Sequence, residues 1–286
     1  MTNNAVETGP IAYAGEPGAF AEDAVLALFP DAPRIAVGGF RPVFEAVTAG
    51  TSSAGVIPIE NVVNGTVREN YDLLLEHELE IVGEVVVPVR LCLAALAGER
   101  LDAIERVYSH IQALGQAEGV LRTRPWSLLS TYNTAGAGKS IVERGERGAA
   151  AVLSPRAARL FGLEILAEDI QDAADNRTRF LVIARRDRRV RLTIDAPTCR
   201  TTLAMAVRNE PGTLLAALDV FARHGLNMSK LESRPSRERA WEYVFWVDLD
   251  ADASSPGTVA ALDELGNVTT MVRVLGSYPR GTEATR

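Results

Sequence analysis

The alternation of short apolar strands with amphipathic helices is the feature that most constrains how this chain can fold. The strand-like runs are Ile11 to Ala14, Ala54 to Pro58, Ile81 to Val89, Val107 to His110, Ser127 to Thr131, Ala150 to Leu153 and Phe180 to Ala184. The helical patterns between them are Ala19 to Phe29, Phe40 to Ala49, Val67 to His77, Gln112 to Leu121, Ala135 to Glu143 and Pro155 to Phe161. Strands that alternate with helices form parallel sheets covered on both faces, and ligands collect at the strand C-terminal edges beside helix N-termini. We therefore expect an α/β region built on parallel sheet.

A change of composition near residue 185 predicts a domain boundary. The charge-rich run Arg185 to Arg191 and the turn Asp195-Ala196-Pro197 indicate a solvated linker. A nucleic-acid patch is the less favoured interpretation, because the run is short and has no interleaved aromatic residues.

Beyond the linker the strand and helix pattern starts again. The predicted strands are Thr201 to Val207, Leu226 to Arg234, Trp241 to Leu249 and Val268 to Leu275. The predicted helices are Pro211 to His224, with Pro211 just inside its start and Gly225 at its end, and Pro256 to Leu265, closed by Gly266. The order β-α-β-β-α-β is typical of a ferredoxin-like module, for which we expect a binding or regulatory role.

Composition and charge narrow the class of partner. The formal net charge of −7 argues against nucleic acid as the main partner. The two cysteines, Cys92 and Cys199, lie far apart and fit reduced thiols of a cytoplasmic protein better than a disulfide framework. The polar N-terminus and the lack of a long apolar run predict neither a signal peptide nor a membrane span.

Two loops after predicted strands could face a ligand. Glycines in Gly15-Glu16-Pro17-Gly18-Ala19-Phe20 let backbone N–H groups approach an anion at a helix N-terminus, although a plain tight turn fits as well. Polar groups also follow the strand in Pro58-Ile59-Glu60-Asn61 and again in Asn64-Gly65-Thr66. Glu60 is a candidate general base or a surface carboxylate, and Asn61 is a candidate ligand or a structural turn residue.

Two further loops carry a histidine and a small-residue helix start. His110, in Ser109-His110-Ile111-Gln112, is either a helix cap or a ligand-binding group. The segment Asn133 to Ser140 ends like a P-loop, but Asn133 stands where the first glycine is required, which argues against nucleotide hydrolysis. What remains is a helix N-terminus with Thr134 as the expected cap, suited to a carboxylate. No histidine pair has metal-ligand spacing, so we expect no metal.

The pentapeptide Asn176-Arg177-Thr178-Arg179-Phe180 places one hydroxyl between two guanidinium groups at the start of an apolar strand. Such a hydroxyl suits a donor that faces an anionic substrate, although a surface turn entering a buried strand looks similar. Together, these loops predict a cleft that binds a small carboxylate, in an enzyme or in a passive binding protein.

Taken together, these segments resemble the bacterial prephenate dehydratases. The matching motifs are Gly15 to Phe20, P-I-E-N at Pro58 to Asn61 with Gly65, S-H-x-Q at Ser109 to Gln112, N-T-A-x-A at Asn133 to Ala137 and T-R-F at Thr178 to Phe180. The last module is similar to an ACT domain, with Gly212 to Leu215 and an intact E-S-R-P at Glu232 to Pro235. The sequence departs from the family pattern at Val62, Ile111, Ala19 and Ala21, which affects the details of substrate hydrogen bonding.

The resemblance implies a two-lobed, periplasmic-binding-protein-like (type 2) catalytic domain at residues 1–187, a linker at 188–199 and an ACT domain at 200–280. Lobe one would span residues 10–88 and 177–186, and lobe two residues 89–176. The implied reaction converts prephenate to phenylpyruvate with loss of water and CO2, needs no cofactor, and is regulated by L-phenylalanine in a homodimer or homotetramer. An arogenate dehydratase, a prephenate decarboxylase that forms no aromatic ring and a non-catalytic amino-acid sensor are the alternatives.

The resemblance also assigns site residues. The catalytic residues would be Thr178, Arg179 and Phe180. The substrate-binding residues would be Gly18, Ala19, Asn61, Gly65, His110, Gln112, Asn133, Thr134, Ala135 and Asn176. The phenylalanine-binding residues would be Asn209, Gly212, Leu214, Leu215, Asn227, Met228, Glu232, Ser233, Arg234 and Pro235.

Overall fold

The computed structural model describes residues 9–193, 198–236 and 242–284. Residues 1–8 of the expected first domain, residues 194–197 of the expected linker and Trp241 at the start of an expected strand lie outside the described residues. The chain divides into two compact units, and the division falls within one strand. The first unit is Met1–Glu78, Val85–Thr193 and Glu283–Arg286, and the second is Leu79–Glu84 and Ile194–Thr282.

Strands and helices alternate through the first unit as the sequence pattern predicts. The strands are β1 (Ile11–Ala14), β2 (Arg34–Val37), β3 (Ala54–Asn61), β4 (Gly65–Thr66), β5 (Leu79–Pro88), β6 (Cys92–Ala95), β7 (Arg106–Ser109), β8 (Ser127–Ser130), β9 (Ala149–Leu153), β10 (Glu164–Ala167) and β11 (Arg177–Arg185). The helices are α1 (Phe20–Leu28), α2 (Phe40–Thr48), α3 (Arg68–Glu76), α4 (Ile111–Gln116), α5 (Glu118–Leu121), α6 (Thr134–Arg144) and α7 (Pro155–Leu160), with a 3₁₀ turn at Leu101–Ala103.

Within the described residues, these strands form two sheets, one in each lobe of a periplasmic-binding-protein-like arrangement. The sheet of lobe one has the order β2-β1-β3-β11-β5, with β4 paired to β3. The sheet of lobe two has the order β10-β6-β9-β7-β8. The chain passes from the first sheet to the second between β5 and β6 and returns between β10 and β11.

The expectation of parallel sheet is wrong for part of each lobe. Strand β1 pairs with β2 and β3 in parallel, and β7 pairs with β8 and β9 in parallel. However, β11 is antiparallel to β3, and β6 is antiparallel to both β9 and β10. A strand that runs parallel to the preceding strand of the same sheet is reached through a crossover connection. Strand β11 is instead reached from lobe two, after the chain has formed the second sheet. This entry brings the start of β11 beside the end of β3.

The central strands β6 and β9 of the sheet of lobe two are buried on both faces, as their continuous apolar sequences predict, whereas β8 at the edge of the sheet is exposed. One face packs Leu93 and Val107 against Leu114 and Leu121 of α4 and α5. The other face packs its residues against α6 and α7, through side chains that include Ile141. The helices are thereby held so that their N-termini lie at one edge of the sheet.

The second unit is the ferredoxin-like module that the sequence predicts. Its elements are β12 (Cys199–Ala206), α8 (Thr213–Arg223), β13 (Met228–Pro235), β14 (Tyr243–Leu249), α9 (Pro256–Val268) and β15 (Met271–Pro279). They form an antiparallel sheet of order β13-β14-β12-β15, and the helices pack on it through residues such as Phe221 and Leu265.

Two predicted helix ends in this unit are wrong. Helix α8 begins at Thr213, so Pro211 lies outside it. The reason is that Gly212 adopts a left-handed conformation (φ 85°), which a right-handed helix does not contain. Helix α9 continues through Gly266 to Val268 rather than ending at the glycine.

A buried ion pair lies in the second unit. Arg200 Nη1 donates to both carboxylate oxygens of Glu84 at 2.7 Å, and Gly281 N donates to Glu84 at 3.1 Å. Glu84 and Arg200 are 1% and 6% exposed. A Cβ at Gly281 would lie 2.1 Å from the carbonyl oxygen of Glu84, so only glycine fits this close approach.

None of the helices in the described part of the chain combines the length and hydropathy that crossing a bilayer requires.

Candidate active site

A cavity of about 520 Å³ lies between the two lobes of the first unit. It brings together eight of the expected site residues, namely Ala19, Asn61, Gly65, His110, Gln112, Thr134, Thr178 and Phe180. The expected residues Gly18, Asn133, Ala135, Asn176 and Arg179 are not among those that line it.

Thr178 enters β11 at the point where β11 pairs with the end of β3. It lies opposite Asn61 in the register, and the two side chains touch: Asn61 Nδ2 donates to Thr178 Oγ1 at 3.0 Å. Both side chains are largely buried and both line the cavity. A hydroxyl that accepts this bond keeps its own proton available, and Thr178 donates to no group among the described residues.

The orientation of the Asn61 amide follows from its neighbours. Its Oδ1 accepts from the backbone N–H groups of Val63 (3.0 Å) and Asn64 (2.8 Å), which can only donate. Its Nδ2 also donates to Asn176 Oδ1 at 2.8 Å and to the carbonyl of Arg177 at 3.0 Å. The amide nitrogen therefore faces Thr178, and Asn61 is both a turn residue and part of the cavity wall.

The side chains of β11 alternate between the two faces of the sheet. Thr178 and Phe180 line the cavity, whereas Arg179 does not. The Arg179 guanidinium lies 4.0 Å from the Glu60 carboxylate, and Arg177 forms ion pairs with Asp175 and Glu283. The pentapeptide therefore presents its hydroxyl and its aromatic ring to the cavity, and its arginines contact acidic groups.

The glycine-rich loop leads into an uncapped helix N-terminus. Ala19 is the N-cap of α1 and makes no side-chain capping bond, and Ala19, Phe20 and Ala21 all line the cavity. Gly18 has a left-handed φ of 92°, and a Cβ there would lie 2.7 Å from the Cβ of Ala157. Gly18 therefore shapes the loop by allowing this close contact between the lobes, rather than by lining the cavity.

Ion pairs beside this loop join the two lobes. Glu22 of α1 is buried and accepts from Gly18 N at 2.7 Å and from Arg156 Nη2 at 2.6 Å, and Arg156 also contacts Asp23. Burial alone would raise the pKa of Glu22, but the Gly18 N–H and the Arg156 guanidinium lower it below its usual value. Because Arg156 belongs to α7 of lobe two, the charged form of Glu22 is stabilised across the cleft.

A second ion pair links the lobes nearby. Lys139 Nζ lies 2.9 Å from Glu16 Oε2, and Tyr132 Oη donates to Glu16 Oε1 at 3.1 Å. The lysine of the P-loop-like segment therefore contacts a carboxylate of the glycine loop.

His110 is both a helix cap and a wall of the cavity. Its Nδ1 accepts from Gln112 N at 3.3 Å, which leaves the proton of the neutral ring on Nε2. Burial lowers the pKa of His110, so the ring is neutral at neutral pH. The residue can therefore donate one hydrogen bond without bringing a charge.

At the start of α6 the expected cap is wrong by one residue. Asn133, rather than Thr134, is the N-cap, and its Oδ1 accepts from Gly136 N. Thr134 is the first residue of the helix and lines the cavity, whereas Ala135 is buried in the core of lobe two.

Several residues that line the cavity are not marked as site residues by the sequence motifs. Gln116 lies one helical turn after Gln112, and its Nε2 reaches Asn61 Oδ1 at 3.4 Å from the other lobe. The i, i+4 spacing on α4 was the signal that could have identified it. Phe20 and Phe40 add apolar surface, and Arg68 adds a cation. Phe20 ends the glycine-rich loop motif, whereas no local pattern marks Phe40 or Arg68, each of which the fold of lobe one brings to the cavity.

The expected phenylalanine-binding residues fall at two ends of the second unit. Val244 of β14 pairs with Ala206 at the end of β12 and with Arg234 near the end of β13. The loop after β12, which contains Asn209 and Gly212, therefore lies at the same end of the sheet as Arg234. Glu232, Ser233 and Pro235, with Leu214 and Leu215 at the start of α8, belong to this end. Met228 and Thr201 both pair with Leu249, which places Met228, with Asn227 before it, at the opposite end. One copy of the unit therefore does not bring all ten residues together.

The comparisons with known proteins agree with this architecture. The prephenate dehydratase family model matches residues 11–188, and the ACT domain model matches residues 201–267. Arogenate dehydratase 5 of Arabidopsis thaliana is 40% identical and covers 94% of this chain and 67% of its own.

Two solved structures are similar along nearly the whole chain. The prephenate dehydratase of Arthrobacter aurescens, in complex with L-Phe, has a TM-score of 0.84 at 31% identity over 95% of this chain and 90% of its own. A structure described as GqqA, a quorum quenching acylase, has a TM-score of 0.84 at 33% identity over 95% of this chain and 98% of its own. The matched motifs, the two-lobed unit and the ferredoxin-like unit together identify the chain as a member of the prephenate dehydratase family with an ACT domain.

Proposed function

We propose that this protein is a prephenate dehydratase, which converts prephenate to phenylpyruvate with loss of water and CO2 in phenylalanine biosynthesis. The observation that carries the proposal is the Asn61–Thr178 pair. Asn61 Nδ2 donates to Thr178 Oγ1, which leaves the hydroxyl proton available for a group bound in the cavity.

The reaction needs a hydrogen-bond donor and a positioned ring, and no cofactor. As the ring carboxylate leaves as CO2, its bonding electrons enter the ring, the C4–oxygen bond breaks and the ring becomes aromatic. The departing oxygen leaves as water once it gains a proton. Because a threonine hydroxyl is a very weak acid, Thr178 stabilises the charge on that oxygen by a hydrogen bond rather than by full proton donation.

The remaining expected residues orient the substrate. The apolar side chain of Phe180, near the ring carboxylate, favours a step that disperses charge. The N–H groups at the start of α1, and those at the start of α6 that the Asn133 side chain does not cap, bind the carboxylates and the keto group together with Gln112 and the neutral His110. Gly65, Asn133, Asn176, Ala135 and Gly18 hold this wall in place, and Arg179 acts through its field alone.

An acylase activity fits this geometry less well. Amide hydrolysis by a hydroxyl requires a base that removes its proton. The group that contacts Thr178 Oγ1 is the donor N–H of Asn61, which cannot act as that base.

The direct test is incubation of the purified protein with prephenate, followed by the absorbance of phenylpyruvate in base. We expect phenylpyruvate and CO2 in equal amounts. Release of CO2 without phenylpyruvate would instead support a decarboxylase that forms no aromatic ring, and faster turnover of arogenate would support an arogenate dehydratase. Binding without turnover would support the amino-acid sensor.

For the second unit we propose feedback regulation by L-phenylalanine in a homodimer or homotetramer. Strand β13 is an edge of its sheet, and two copies that pair β13 antiparallel would bring opposite ends of the strand together. The pairing would place Asn227 and Met228 of one copy beside Gly212 and Arg234 of the other. We propose a cytoplasmic location and domain bounds of 1–187, 188–199 and 200–280.

Light scattering and kinetics with and without millimolar phenylalanine test this second proposal. We expect a dimer or larger assembly and lower turnover when phenylalanine is present, because the effector must bind the inhibited state more tightly. A monomer with unchanged kinetics would contradict the regulatory proposal and leave the catalytic one intact.

A further inference from the structure

The cavity is lined by one strongly basic side chain. Among its lining residues, all of which belong to the described part of the chain, Arg68 is the single arginine or lysine. The segment from Asn64 to Glu69 lines one wall of the cavity, and Arg68 belongs to this segment.

The backbone at Arg68 is held in a fixed position relative to Asn61. The β3–β4 hairpin pairs Asn61 with Gly65, and Val67 N donates to Ile59 O at 3.0 Å. At the third residue of α3, the fully buried Asn70 donates from Nδ2 to Pro58 O at 2.6 Å. Arg68, the first residue of α3, is therefore attached to the same strand that carries Asn61.

We propose that Arg68 binds the side-chain carboxylate of the substrate and makes the enzyme prefer prephenate over arogenate. The inference rests on the proposed function. Prephenate carries two carboxylates and a keto group, whereas arogenate has an ammonium group on the carbon next to its side-chain carboxylate. A guanidinium that binds this carboxylate attracts the first substrate and repels the ammonium of the second.

The chemistry decides which carboxylate Arg68 binds. The ring carboxylate must lose its charge as CO2 departs, so a guanidinium on it would stabilise the ground state and slow the reaction. The side-chain carboxylate keeps its charge throughout the reaction. A guanidinium that binds it therefore lowers KM without slowing the loss of CO2. Glu69 is the acidic residue among those that line the cavity.

The test compares both substrates in Arg68→Gln, Arg68→Lys and the control Arg122→Gln. Arg122 is an exposed arginine outside the cavity, paired with Glu118. Prephenate is followed by its turnover, and arogenate by its turnover or by its competitive inhibition of prephenate. Thermal unfolding of each variant shows that the fold is intact.

In Arg68→Gln we expect kcat/KM for prephenate to fall about tenfold or more, mainly through KM, and arogenate recognition to change less than about threefold. Arg68→Lys should retain most of the preference, and Arg122→Gln all of it. Equal losses for both substrates, or no loss for prephenate, would overturn the proposal. A wild-type protein inactive on both substrates would refute the proposed function itself, and this inference with it.

Discussion

Replacing Thr178 by valine should separate catalysis from stability. Valine has nearly the shape of threonine but lacks the hydroxyl, so Thr178→Val removes the donor to the leaving oxygen. Loss of one such positioned donor costs about 100- to 1000-fold in kcat, or about 2.7–4 kcal/mol of transition-state stabilisation.

The same substitution should leave the protein folded. Asn61 Nδ2 has two hydrogens and lies within 3.0 Å of three acceptors, namely Asn176 Oδ1, the Arg177 carbonyl and Thr178 Oγ1. When the hydroxyl is gone, two acceptors remain for the two hydrogens, so no buried donor is orphaned. The free energy of unfolding should therefore change by no more than about 1 kcal/mol.

The assay is single-turnover and steady-state formation of phenylpyruvate, together with urea unfolding of each variant. Thr178→Ser, which keeps a hydroxyl, should recover most of the lost rate. Thr123→Val, the same chemical change at an exposed threonine outside the cavity, should have no effect on kcat. A folded Thr178→Val protein with kcat within about threefold of wild type would refute the role assigned to the hydroxyl.

Three further predictions follow from ionised and buried groups. Burial lowers the pKa of His110, so the contribution of His110 to stability is complete above about pH 6.5 and is lost as the pH falls below that value. Between about pH 7.5 and pH 5, His110→Gln should therefore lose less unfolding free energy than the wild type. An equal loss in the two proteins would contradict this prediction. Glu84→Ala leaves Arg200 buried without its carboxylate and should cost about 3–5 kcal/mol in urea unfolding, whereas the double variant Glu84→Leu, Arg200→Met should recover most of it. Arg156→Ala removes the cation that binds Glu22 across the cleft. The KM for prephenate should therefore rise, and the unfolding free energy should fall by about 3 kcal/mol. Unchanged values of both would show that the Glu22–Arg156 ion pair is not needed.

Local sequence predicts much of this site because its groups lie on short motifs. Asn61 follows the predicted strand Ala54 to Pro58 and Thr178 precedes the predicted strand that starts at Phe180, and the observed strands extend to include both residues. His110 and Asn133 stand where strands give way to helices. The sequence immediately around each of these four residues is therefore enough to predict that it is a site residue.

Other features depend on pairing between distant segments. The sequence pattern predicts neither the antiparallel pairing of β11 with β3 nor the strands β2, β6 and β10. Strand β2 is largely exposed, so it lacks the apolar run that marks a buried strand. The alternation along β11 turns Arg179 away from the cavity, a consequence of strand geometry that the motif alone does not express. Arg68 becomes a site residue through the β3–β4 pairing, and Gln116 through the contact that its amide makes with Asn61 of the other lobe.

A crystal structure of Thr178→Val with prephenate bound tests the central claim most directly, because a slow variant should retain its substrate. The C4 oxygen should lie within about 3.5 Å of the side chain at position 178, with the ring against Phe180 and between the two lobes. A C4 oxygen that points away from position 178, or a substrate bound elsewhere, would contradict it.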